Sequence, residues 1–199
     1  MKIDTPEQSY DRTEAIKDLE SLLAQSLPFQ EPPCPGCERH KPNSCNPKCP
    51  DATRALSIEP DRYPIEPQVT ALVYQLYATR IVQPCWSCEG HVQTVGEETN
   101  LWKLPQVSFY CHSPVYIQLL NRCLKYTGTK QSLAYPWHIV ISEYSQSLDL
   151  TYSIQPNLNM VNEPKLGCIQ SDLRLIAENL LDNIRREAQM MLSELKQKS

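Results

Sequence analysis

The sequence predicts an α+β domain: a mixed sheet around a β-α-β-β core, flanking helices, an N-terminal Cys-rich metal-binding loop and a long C-terminal helix. Three observations carry this expectation. Strand-like alternation and helix-like periodicity interleave between residues 63 and 168. A strand–helix–strand unit spans Val107 to Ile141 and is followed by a hairpin. An amphipathic stripe then continues from Ser171 to Gln197.

The elements are predicted in order as follows. Ile16, Leu19, Leu22 and Leu23 recur at helical spacing, which predicts a helix over residues 10–26. Between Pro28 and Pro50 lie seven prolines and four cysteines. Proline fixes φ and removes a backbone donor, so neither a helix nor a central strand can run through this stretch. Val69, Leu72, Val73, Leu76 and Tyr77 share one face of a second helix that starts at Pro67, a residue suited to a first helical position. Ile81 and Val82 open a short strand that Pro84 is expected to stop, leaving Cys85 to His91 as a loop and Gly96 to Asn100 as a polar connection.

Val107 to Ser113 alternates as a strand. Ser113 and Pro114 supply the N-cap and first turn of a third helix, which ends near Gly128. Trp137, Ile139 and Ile141 alternate on one strand, and Leu148, Leu150, Tyr152 and Ile154 on the next. The last helix takes Leu173, Ile176, Leu180, Ile184, Met191 and Leu195 as its stripe. The implied organisation is an N-terminal helix (1–27), a Pro/Cys-rich segment (28–62), an α+β core (63–168) and the C-terminal helix (169–199). The outer part of that last helix is a candidate surface for a protein partner or a homodimer.

Composition narrows the function classes. The 199-residue chain is 41% hydrophobic and 21% charged, as soluble globular proteins are. Its net charge of −4, without a dense Lys/Arg run, does not favour nucleic acid. The N-terminus lacks a secretory apolar core, and no apolar run has the length to span a bilayer, so a cytoplasmic protein with no membrane association is expected. Five scattered glycines provide neither a P-loop nor a dinucleotide fingerprint. Nine cysteines is an odd number, and the cytosol keeps thiols reduced, so a disulfide framework is not expected.

The cysteine spacings point instead to metal. Cys34, Cys37, Cys45 and Cys49 supply four thiolates within sixteen residues, enough for a closed tetrahedral site. Zinc is the first expectation. An iron–sulfur cluster is the alternative, because Cys49-Pro50 ends the set as in bacterial ferredoxins, although the other spacings differ. His40 is a substitute ligand.

Cys85, Cys88 and His91 form a second group in Cys85-Trp-Ser-Cys-Glu-Gly-His91. Three protein ligands with an open fourth position describe a catalytic zinc, with Glu89 as its general base. His112 is a candidate catalytic residue or fourth ligand. It is expected at the C-terminal end of a parallel strand, beside Tyr110, Ser113 and Glu143. The CxxC pair also allows thiol–disulfide chemistry. Cys111, Cys123 and Cys168 are expected to pack structurally.

The run Ser87-Cys88-Glu89-Gly90-His91, after a helix and a strand, resembles an SCEGH-type loop of uncharacterised bacterial proteins. It is also similar to the strand-end Ser-Cys-Ser-Gly loop of the methyltransferases of wybutosine synthesis. The overlap covers about residues 67–142, and Glu89 and His91 depart from the second pattern. The resemblance implies no activity or cofactor for this chain.

The function expected is that of a cytosolic metal–thiolate protein, with zinc as its cofactor, acting as an accessory or interaction factor. A zinc-dependent enzyme using the Cys88-Glu89-Gly90-His91 loop and an iron–sulfur redox protein are the alternatives.

Overall fold

The computed structural model describes residues 12–26, 56–57, 59, 61–143, 150–159 and 161–197. Helix α1 (Arg12–Leu23) buries Ala15, Leu19 and Leu22. Helix α2 (Pro67–Ala78) has Glu66 as N-cap and Pro67 in its first turn, and it buries Val69, Leu72, Val73 and Leu76. Strand β1 (Gln83–Cys88) is followed by β2 (His91–Val95), β3 (Glu98–Lys103) and β4 (Gln106–Tyr110). Helix α3 (Pro114–Lys130), strands β5 (Trp137–Glu143) and β6 (Leu150–Pro156) and helix α4 (Leu166–Gln197) complete the order among the described residues.

The main sheet has the order β1-β4-β6-β5, and β2 and β3 pair as a separate hairpin. Every ladder among the described residues is antiparallel. The α+β class therefore holds, but the expected mixed sheet does not form. Strands β4 and β5 do run in the same direction, yet β6 lies between them and pairs with both. The cause is burial: β6 places Ile154, which is fully buried, opposite both Val107 and Ile139, so the second strand of the hairpin takes the central position. Strand β5 is left at the edge, with Ile141 exposed.

Strand β1 corrects the expectation at Pro84. Proline does not stop this strand; it lies within it. As the other edge of the sheet, β1 has a side with no ladder among the described residues, and its pairing slips between Pro84 and Trp86. Cys85 to Cys88 are thus strand, not loop. The polar connection expected at Gly96 to Asn100 is the tip of the β2–β3 hairpin and the start of β3, with Gly96 at φ +66°.

Helices pack on the face that carries Val107, Phe109 and Ile154. Helix α2 touches β1 and β4, α3 touches β5, and α4 runs against α1, α2 and α3. Leu72, Leu76, Phe109, Leu119, Leu120, Ile169, Leu173 and Ile176 are buried at the centre. Each such side chain contributes about 1.5–3 kcal/mol by leaving water. Helix α4 begins five residues before Ser171 and stays buried as far as Met191, so it belongs to the same core as the body.

Polar side chains fix this arrangement. Asp172 of α4 is buried and accepts the backbone N–H groups of Ala134 and Tyr135 and the indole N–H of Trp137 at 2.8–3.1 Å. Arg122 of α3 donates to Glu187 and Glu194 of α4. Ser113 occupies the N-cap position of α3 as expected, but its hydroxyl does not cap the helix. It donates to Asp18 at 2.7 Å and ties α1 to α3.

Candidate metal centre

A two-residue link between strands and a helix N-cap bring the candidate ligands together. The chain leaves β1 at Cys88, passes through the two-residue link Glu89-Gly90, and enters β2, a strand of the separate hairpin, at His91. Gly90 has φ +84°, and a Cβ there would meet Pro105 at 2.6 Å and Leu166 at 2.7 Å. Only glycine fits such a positive φ beside so close a wall. The turn therefore fixes the spacing between Cys88 and His91.

Glu66, the N-cap of α2, faces this turn. Its Oε1 lies 2.9 Å from Nε2 of His91. Its Oε2 accepts the backbone N–H of Glu89 at 2.7 Å. Cys88 Sγ accepts the N–H of Gly90 at 3.4 Å. Glu66, Cys88 and His91 each offer a ligand atom, and these atoms lie within 4.8 Å of one another. Cys88 is only 2% exposed, while His91 and Glu66 are about a third exposed, so the cluster opens to solvent on their side.

The electrostatics distinguish two chemistries for Cys88. Burial pushes its thiol above the ordinary 9.0; the Gly90 N–H offsets part of this, the Glu66 carboxylate raises it further, and Lys103 lowers it. A nucleophilic cysteine needs the opposite setting, a thiol held down by positive surroundings. A divalent cation at this point would supply the missing charge and displace the proton. The donor set of one thiolate, one imidazole and one carboxylate suits zinc, with a fourth position open.

The sequence-derived candidates divide as follows. Cys88 and His91 are brought together. Cys85 is not: it is exposed on β1 and stands outside the cluster. Three residues of extended chain span about 10 Å, so a CxxC pair in a strand cannot close on one ion as it does in a turn.

Glu89 does not face the cluster as a base. Its Oε2 accepts the N–H of Gln68 at 2.8 Å, at the start of α2, and its carbonyl accepts from Gln170 Nε2. It holds the turn against two helix N-termini. His112 is excluded by direction, because β1 and β4 are antiparallel and Tyr110 pairs with Gln83 while Gln106 pairs with Cys88. His112 follows Tyr110 at the far end of the pair, roughly 15 Å from the cluster, packed edge-on against Tyr116. The crevice expected beside Tyr110, Ser113 and Glu143 required a parallel sheet and has no counterpart in this topology. Cys34, Cys37, Cys45, Cys49 and His40 lie outside the described residues.

Glu66 was not found from the sequence. Its signal is an acidic residue directly before Pro67, which marks a helix N-cap but not its partner across the fold.

Comparison with protein-family models, with curated proteins and with solved structures finds no match for this chain. The fold and the cluster therefore define an α+β protein with a candidate three-ligand metal centre, and its function is argued from the site.

Proposed function

We infer that the protein is a zinc-binding metal–thiolate protein whose described body holds one ion through Cys88, His91 and Glu66. The observation that carries this reading is the convergence of a thiol, an imidazole and a carboxylate within 4.8 Å, on a turn that only glycine permits. Glu66 and ionised Cys88 would balance the charge of a divalent ion. Cys34, Cys37, Cys45 and Cys49 provide, by spacing alone, a second and structural zinc site. The role as a cytosolic accessory factor rests on the cysteine spacings, which suit metal ligation better than a disulfide framework.

The test is elemental analysis of anaerobically purified protein, with Cys88→Ser, His91→Ala and Cys85→Ser compared. Loss of one equivalent of zinc from the first two variants, and none from the third, supports the reading. Equal zinc in all of them removes the site at Glu66, Cys88 and His91. Visible absorption that bleaches on reduction would assign an iron–sulfur cluster instead.

A further inference from the structure

We propose that the open position at Glu66, Cys88 and His91 receives a small aromatic carboxylate, with Lys103 pairing its charge and Trp102 carrying its ring. The proposal rests on the metal reading above and names the ligand class for that same site.

The geometry comes from a bulge. In the β2–β3 hairpin His91 pairs with Lys103, but Val92 pairs with Leu101, so Trp102 is the extra residue. In a regular strand neighbouring side chains point to opposite faces; a bulge lets two successive ones turn the same way. Here both stand by the cluster. The Trp102 ring lies 6.3 Å from the His91 ring, tilted by 48°, and Lys103 Nζ lies 5.2 Å from the centre of the Trp102 ring. Trp102 is 63% exposed, an indole held in water at the mouth of the cluster.

Charge selects the ligand. The two anionic side chains cancel a divalent ion, and Lys103 leaves one positive charge beside it. Among the described residues Lys103 makes no ion pair with a carboxylate, and its ammonium stands over the Trp102 ring. One vacant metal position and one ammonium match a monoanion, whereas a phosphoryl dianion brings more charge than they balance. A carboxylate oxygen is an ordinary zinc ligand. A flat ring beside it meets Trp102 at stacking distance.

The test uses the full chain with Cys34, Cys37, Cys45 and Cys49 replaced by serine and loaded with cobalt(II), whose visible spectrum reports the coordination sphere, titrated with phenylacetate, acetate and phenylacetamide. Cobalt content is measured in each variant, so loss of ion and loss of ligand are read separately. Phenylacetate should shift the spectrum saturably, acetate should bind about tenfold more weakly, and phenylacetamide should give no shift. At full cobalt occupancy, Lys103→Gln should weaken phenylacetate about tenfold, and Trp102→Ala should bring it to the level of acetate. An unchanged spectrum, equal binding of acetate and phenylacetate, or an unaffected Lys103→Gln variant would overturn the proposal. A tetrapeptide with a free C-terminal Phe that binds more tightly than phenylacetate would replace the small acid by a peptide tail. Protein that takes up no cobalt would overturn the metal reading and this proposal together.

Discussion

Glu66 reaches His91 across the fold: one carboxylate oxygen stands 2.9 Å from the imidazole Nε2, and the other holds the Glu89 N–H. A helix N-cap and a strand-to-strand turn are thereby joined through one side chain. The same contact places a carboxylate beside the buried Cys88 thiol. The expected consequences fall on distinct residues.

Glu89 acts on the fold rather than on the ion. Glu89→Ala should lose the charge at the start of α2 and cost about 1 kcal/mol in denaturant unfolding. Zinc content should stay the same. Loss of zinc at unchanged stability would restore Glu89 to the site.

Gly90 sets the turn. Gly90→Ala must leave φ +84° or push Pro105 and Leu166 aside. The expected cost is about 2 kcal/mol or more, with weaker zinc binding because Cys88 and His91 no longer converge. Wild-type stability and affinity would show that the turn relaxes freely.

Asp172 accepts from three donors at the entry to β5, of which the Trp137 indole N–H is buried. Asp172→Ala leaves the buried indole N–H without an acceptor and exposes the other two to water, at a cost of about 2 kcal/mol and about 6 °C in thermal midpoint. A change of under 1 kcal/mol would mean that the segment re-pairs with water.

Alkaline pH should destabilise the metal-free protein. Burial, and then the Glu187 charge, hold the Cys123 thiol well above its ordinary 9.0. The folded state therefore keeps a proton that the unfolded chain releases. This stabilisation is complete below 9.0 and is lost as pH rises beyond it. Thermal midpoints should fall between about pH 8 and about pH 10.5. Cys123→Ala should lower the whole curve but flatten that fall; an equal slope would contradict the assignment.

What the sequence made legible follows from where water lies. Helices α1 to α4 and strands β4 to β6 each bury one face, so Leu72 and Leu76, Val107 and Phe109, and Leu173, Ile176 and Leu180 recur at the proper period. The β2–β3 hairpin is mostly wetted, and Gln93, Thr94, Glu98 and Thr99 show no alternation to detect. Edge position, not local preference, decided Pro84. Cys88 and His91 were visible because thiol and imidazole are rare side chains at short spacing. Glu66 was not, since its place beside them depends on how α2 packs against β1. The pairing direction of β4 and β1, which separates His112 from the cluster, is likewise a tertiary choice.

The central claim is tested most directly by zinc-edge X-ray absorption on the full chain with Cys34, Cys37, Cys45 and Cys49 all replaced by serine. That variant should retain one zinc with a single sulfur at about 2.3 Å and the remaining ligands, nitrogen and oxygen, at about 2.0 Å. A protein without zinc, or an ion bound by two or more sulfurs, would contradict a centre built on Glu66, Cys88 and His91.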